Sequence, residues 1–393
     1  MSEVGKYSVE PGGIGVITID NPPVNALGLA TRQAIVDGFA RFAADAAVKA
    51  IVLICAGRTF FAGADISEFG KPLAEPDLLQ VLDVIEASTK PVIAAIHGTA
   101  LGGGLETALV CHYRVAVPSA KVGLPEVHLG LLPGAGGTQR LPRIVGVEAA
   151  LDMILGGRPV GAKRALDLGL VDALAEEGRL REDAIAFAAR VVAAGAPLPR
   201  VRDRNDKLIA AKADMAVFDA QLTKNARAFR GFRAPGNIVA AIRAAVETAP
   251  DFDAGLRREQ ALFEELLHSS ESAAQRYYFF AERETVKIPD IGRDVATLPV
   301  GHVGVIGAGT MGGGITMNFL NAGIPVTLVE MNQAALDRGL GVIRRNYENS
   351  ASKGRMTLDD VERRMALITP ALGLGALGTV DLVIEAVFEQ MSV

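Results

Sequence analysis

The stretch Gly102-Gly103-Gly104-Leu105-Glu106, preceded by the run Pro91-Val-Ile-Ala-Ala-Ile96, decides how this chain is read. The run is short and apolar, so it predicts a buried strand. The glycines carry no Cβ and let backbone approach a neighbour closely. A helix is expected to start among them, and the first N–H groups of a helix have no acceptor within it. Such groups suit a negatively charged oxygen. Glu106 comes at once, so an oxyanion-binding backbone would lie beside an acid/base group, which suits chemistry on a carbonyl. Taken alone, the stretch reads equally well as a turn followed by a solvated glutamate. Its surroundings decide.

Working outward, short apolar strands are expected at residues 15–19, 50–55, 92–96 and 113–117, with helices at 30–43 and 78–87 between them. This alternation predicts α/β layers over residues 1–195. Residues 196–296 read as a helical extension and linker, with helices expected at 208–230, 238–248 and 253–267 and their charged residues on solvated faces. Residues 297–393 begin a third region with a strand at 303–306, then Gly307-Ala-Gly309-Thr-Met-Gly312 and a helix. A second strand at 326–329 ends in Glu330, and a third is expected at 380–386.

A chain of 393 residues, half of them hydrophobic, is long enough for more than one core. A net charge of -5 gives no general case for nucleic acid or a membrane surface as partner. Cys55 and Cys111 read as small buried core residues, which fits a reducing compartment. The start, Met1-Ser-Glu-Val-Gly-Lys-Tyr7, lacks the apolar core of a signal peptide. Glycines and polar residues interrupt every apolar run of membrane-spanning length. The end, Met391-Ser-Val393, does not read as a peroxisomal address. The expectation is a bacterial cytoplasmic protein, or a peroxisomal one without that address if the source is eukaryotic.

Two more segments join the glycines. Phe60-Phe-Ala-Gly-Ala-Asp-Ile66 is a loop whose small residues can expose an N–H. Gly123-Leu-Pro125-Glu126 is followed by Pro133-Gly-Ala-Gly-Gly-Thr-Gln-Arg140, and Glu126 is a second carboxylate twenty residues after Glu106. Each segment is common by itself; the order and spacing of all of them are not. With Asn21-Pro-Pro-Val-Asn-Ala-Leu27, they closely resemble the crotonase (enoyl-CoA hydratase) family over residues 21–171. The resemblance implies a ββα spiral core and an acyl-CoA substrate. It implies that the N–H groups of Ala64 and Gly103 form an oxyanion hole for the thioester oxygen. Glu106 would activate water and Glu126 would deliver a proton to C2, although two close carboxyls titrate as a pair. Ala26, Ala62, Ile66 and Gly134 would line the substrate pocket, and no metal is needed. His97, His112 and His128 lie near these motifs and read as structural or surface residues, since the mechanism needs no imidazole.

Gly307-x-Gly309-x-x-Gly312, between a strand and a helix, is a dinucleotide fingerprint, and Glu330 lies 23 residues beyond Gly307. The wider run resembles the start of a 3-hydroxyacyl-CoA dehydrogenase, a partial Rossmann-like domain in which these residues would hold NAD. The order of the three regions resembles the peroxisomal-type multifunctional β-oxidation enzymes. The chain departs from them in one respect. That family's catalytic histidine lies downstream of the third strand, whereas the last of five histidines here is His302. The chain therefore reads as truncated, active as a hydratase and not as a dehydrogenase, with three strands making half a nucleotide-binding sheet. An enoyl-CoA isomerase, or a non-catalytic acyl-CoA or NAD binding module, remains open. A monomer is expected, its helical extension covering the surface by which simple crotonases assemble.

Overall fold

The computed structural model describes residues 4–71, 74–292 and 294–389. It divides into two compact units, Met1–Lys287 and Ile288–Val393. The terminal tripeptides, read above for targeting, lie outside the described residues.

The first unit is built on a six-stranded sheet whose order is Gly5–Glu10, Ile14–Ile19, Ala50–Cys55, Val92–Ile96, Tyr113–Ala116 and Ala173–Leu174. The first pair is antiparallel and the rest are parallel. Every residue of Ala50–Cys55 and Val92–Ile96 is buried, as expected of central parallel strands covered on both faces. A small second sheet pairs Thr99–Leu101 with Lys121–Gly123 and the latter with Val160–Gly161. It lies just beyond the strand ends and carries the chain into the glycine triplet. The edge strand Gly5–Glu10 is absent from the sequence expectation because its residues are only half-buried and it lacks the apolar run of its neighbours.

The helical region forms no core of its own. Val201, Leu208, Phe218, Ile238, Ile242, Leu262 and Leu266 join the same buried cluster as the strands. Burying one such side chain contributes about 1.5–3 kcal/mol, so this region is bound firmly to the sheet layer. One helix expected over 208–230 is in fact two, Asp206–Ala211 and Ala216–Phe229. At the break, Lys212 Nζ donates to the Ala249 carbonyl at 2.8 Å and the Ala216 N–H donates to Asp214 Oδ1 at 3.1 Å. The Asp214 contact takes up the N–H at the start of the second helix. The helix Phe252–Leu267 is capped by Asp251, whose side chain accepts from the Ala254 N–H.

The second unit holds a four-stranded parallel sheet in the order Ile368–Leu372, Val326–Glu330, Val303–Ile306, Leu382–Glu385. This corrects the expectation of three strands. Ile368-Thr-Pro-Ala-Leu372 contains Pro370, which argues against a central strand. It is an edge strand, where a residue without an N–H is tolerated. At the other edge, Leu382 and Val383 are exposed.

Candidate active site

The segment Asn21–Leu27 is a brace. Asn25 takes a left-handed φ of 52°, and its Nδ2 donates to the carbonyls of Ala56 and Thr59 at 2.9 and 2.8 Å. Its Oδ1 accepts from the Asn21 N–H at 2.7 Å, while Asn21 Nδ2 donates to the Ala26 carbonyl. The brace fixes residues 24–27 beside the loop 56–64. The Ala62 N–H donates to Val24 and the Leu27 N–H to Gly63. Ala26, Ala62, Ala64 and Ile66 are half-buried along this seam, with Ile66 opening a short helix capped by Asp65. Gly134 lies apart from them, against the Phe263 ring.

Each residue of the glycine triplet has a steric reason. Gly102 has φ 52° and ψ -128°, a conformation closed to most side chains, and a Cβ there would lie 3.1 Å from Glu126 Oε1. A Cβ on Gly103 would lie 3.3 Å from the Ala64 nitrogen, and one on Gly104 would strike the Phe61 carbonyl. The triplet thus brings the start of the helix Gly103–Val110 against the loop that carries Ala64. Among the described residues, no acceptor is found for the Ala64 or Gly103 N–H groups.

Glu106 is buried, and its Oε1 accepts from the Ala135 and Gly137 N–H groups, both at 2.8 Å. Burial raises its pKa, while these two donors and Arg140 oppose the rise. Glu126 lies at the start of the short helix Glu126–Leu129 and is half-buried, with Oε2 shielded from solvent and unpartnered. Burial, then the charge of Glu106, push its pKa well above the usual carboxylate range. Of the two carboxyls, Glu126 is the one whose burial and neighbouring charge hold its proton more firmly. The structure brings Ala64, Gly103, Glu106 and Glu126 to one place.

Arg140, the end of the motif that starts at Pro133, has a structural task. It pairs with Glu86 through Nη2–Oε2 at 2.9 Å and Nε–Oε1 at 3.3 Å, with both side chains about one-twentieth exposed, and its Nη1 donates to the Ala135 carbonyl. Arg140, Arg143 and Arg202 surround the Phe252 ring at 4.8, 4.9 and 4.6 Å, fixing the start of the helix Phe252–Leu267. That helix contributes Glu259, fully buried behind the same loop, which the sequence reading passed over. A signal for it existed: the buried face reads Phe252, Gly255, Glu259, Leu262 and Leu266, so one carboxylate interrupts an apolar stripe.

The histidines serve the fold. His112 Nδ1 accepts from the Val92 N–H at 3.0 Å, and burial lowers its pKa to about 4. His97 meets the Gly57 carbonyl at 3.1 Å, and His128 is exposed. Cys55 and Cys111 are buried free thiols. Among the described residues, no group of three or more His, Cys, Asp or Glu side chains is placed to hold a metal.

In the second unit, the strand Val303–Ile306 leads through Gly307, φ 96°, into the helix Thr310–Asn321. A Cβ on Gly312 would strike the Gly307 carbonyl, so the turn closes only around glycine. Glu330 ends the second strand and folds back onto the turn, its Oε1 accepting from the Ala308 N–H at 2.8 Å. The strand order, with the fingerprint strand between its neighbours, matches the first half of a Rossmann sheet.

Comparison with known proteins agrees with both units. A family model described as enoyl-CoA hydratase/isomerase matches residues 10–255, and one described as the NAD binding domain of 3-hydroxyacyl-CoA dehydrogenase matches residues 302–393. The peroxisomal bifunctional enzyme of Danio rerio is 41% identical over 393 residues, which are 99% of this chain and 53% of that protein. The glyoxysomal fatty acid beta-oxidation multifunctional protein MFP-a of Cucumis sativus is 35% identical over 401 residues, 99% of this chain and 55% of its own length. The chain spans about half the length of these relatives. The crystal structure of an enoyl-CoA hydratase/isomerase from Pseudoalteromonas atlantica T6c matches with a TM-score of 0.53 and 26% identity, covering 71% of this chain and 97% of that one. Among the described residues, no helix is long and apolar enough to cross a membrane.

Proposed function

This chain belongs to the enoyl-CoA hydratase/isomerase family, and from that premise we propose that it adds water across the C2=C3 bond of a 2-trans-enoyl-CoA in fatty acid β-oxidation, giving a 3-hydroxyacyl-CoA. The observation that carries this reading is the meeting of the buried Glu106 and the half-buried Glu126 with two backbone N–H groups for which no acceptor is found among the described residues.

In this reading the thioester oxygen lies between the Ala64 and Gly103 N–H groups. Attack of water at C3 turns that oxygen into an enolate oxyanion. Donors already aimed at it, at the start of the helix Gly103–Val110, stabilise the charge as it forms. Glu106 Oε1 is held by two N–H groups, which leaves Oε2 to take a proton from the attacking water. Glu126, the carboxyl kept protonated by burial and by Glu106, gives a proton to C2. Ala26, Ala62 and Ile66 would line the seam along the acyl-CoA, and Gly134, against the Phe263 ring, would add to the pocket. The helices packed on the core support a monomer.

The unpartnered Glu126 Oε2 also suits a second activity when that carboxyl starts the cycle ionised. It would then take a proton from C2 and return it at C4, which is what double-bond migration from C3 to C2 requires. In the second unit, the close-fitting Gly312 and the placement of Glu330 suit a dinucleotide, so Gly307, Gly309, Gly312 and Glu330 would hold NAD, the pyrophosphate at the helix start and a ribose at the carboxylate. When bound, NAD supplies the hydride acceptor for oxidation of a 3-hydroxyacyl thioester.

Spectrophotometric loss of the conjugated thioester on 2-enoyl-CoAs of graded chain length tests the hydratase reading. Turnover is expected. Absence of turnover in folded protein would favour a binding module, and conversion of 3-enoyl-CoA would add the isomerase.

A further inference from the structure

We infer that Glu259, on the helix Phe252–Leu267, is a positioning residue for hydration: it and Glu106 grip alternate amides of one segment, residues 135–138, which opens the helix Gly137–Val145, so that the Glu259 helix sets where Glu106 stands. The inference rests on the hydratase reading above. It concerns a residue beyond the stretch, 10–255, that matches the family model.

The loop divides its amides by alternation. Ala135 and Gly137 donate to Glu106 Oε1 at 2.8 Å each. Gly136 donates to Glu259 Oε1 at 2.6 Å and Thr138 to Glu259 Oε2 at 2.9 Å. Thr138 Oγ1 meets the same Oε2 at 2.5 Å. Gln139 Nε2 donates to Thr138 Oγ1 at 2.9 Å, which uses the hydroxyl as acceptor and leaves its proton for Glu259. Three donors thus converge on one carboxylate with no solvent exposure. The two carboxylates share no amide, but their four donors are successive, so a shift of the segment at one carboxylate is carried to the other.

Packing alone does not explain the residue. An apolar side chain would fill the same space between Leu262 and Gly255 and would avoid a buried carboxyl, but it would orphan the Gly136 and Thr138 amides. The arrangement also places a third acid near the reacting pair. Burial and the charge of Glu106 raise the Glu259 pKa to about 8, against its three hydrogen bonds. The charged groups that face it are Glu106 and Glu126, with Arg140 beyond them toward Glu106. From the helix Ala234–Thr248, the Ala241 carbonyl is reached through Gln139. As pH rises through about 8, Glu259 gains charge and opposes loss of the proton on Glu126.

The test uses Glu259→Gln in the full chain. The amide keeps one acceptor and turns a donor toward the other, so one grip is lost with little change in volume. The expected result is a fall in kcat of about tenfold or more, with affinity for a saturated acyl-CoA kept within a few-fold, since a small displacement of Glu106 is costly in rate. The alkaline limb of the kcat/KM profile should also move to lower pH, because the charge that helps Glu126 keep its proton is gone. Thr138→Val, which removes a single donor, should show a smaller fall in kcat and no shift of that limb. A Glu259→Gln enzyme with parental kcat, or with reduced kcat and an unmoved alkaline limb, would overturn the inference. An inactive parent would instead count against the hydratase reading.

Discussion

The two sites differ in how far apart in sequence their parts lie. The nucleotide fingerprint is written in 24 consecutive residues, Gly307 to Glu330, and its geometry follows from one turn and one helix between two adjacent strands. The carboxylate site collects Ala64, Gly103, Glu106, Glu126, the amides of 135–138 and Glu259 from five separate segments. The first kind of site needs only a local fold. The second exists only when the whole first unit is packed, and its two carboxyls are tuned by burial that no single segment supplies.

That contrast can be broken most directly at Glu126. Replacement by Gln should lower the hydration rate by about 10³–10⁴-fold while a saturated acyl-CoA still binds, because proton delivery is removed and the pocket is not. Stopped or steady-state assay beside calorimetric titration checks it, and full activity would end the proton-delivery assignment. Gly103→Val comes next. Its side chain would start 3.3 Å from the Ala64 nitrogen and 3.0 Å from Leu78, filling the space intended for the thioester oxygen. A loss of about 10²–10³-fold in kcat/KM is expected, the scale of a missing oxyanion donor. In the local site, Gly312→Ala forces a Cβ onto the Gly307 carbonyl. NAD affinity, followed by fluorescence or calorimetry, should fall at least about tenfold as the turn opens. The smallest effect is expected at Asp251→Ala, which removes the cap of the helix that bears Glu259. The melting temperature should drop by about 2–4 °C.

The same contrast explains what the sequence disclosed. The strands Ala50–Cys55 and Val92–Ile96 were legible because each is a continuous apolar run with both faces buried. The fingerprint was legible because its parts are contiguous, and the pairing of Glu106 with Glu126 because the intervening motifs are specific in order. The strand Ile368–Leu372 was hidden by Pro370, which only an edge position accommodates. The break near Lys212 was hidden because apolar residues keep a helical spacing on both sides of it. Glu259 was hidden because periodicity shows that a helix has a buried face but not what that face meets. Its partner is a row of amides, and amides carry no side-chain signature.

The loop 135–138 therefore has an unusual mutational grammar. Its contribution is four successive main-chain N–H groups, two aimed each way. Proline at any one of the four would delete a donor and untie a carboxylate from one side, and at Gly136, whose φ is 90°, it would also force the backbone out of place. An enzyme altered in this way could keep its hydrophobic core, both glutamates and its substrate pocket, and still be silenced by the absence of one hydrogen atom.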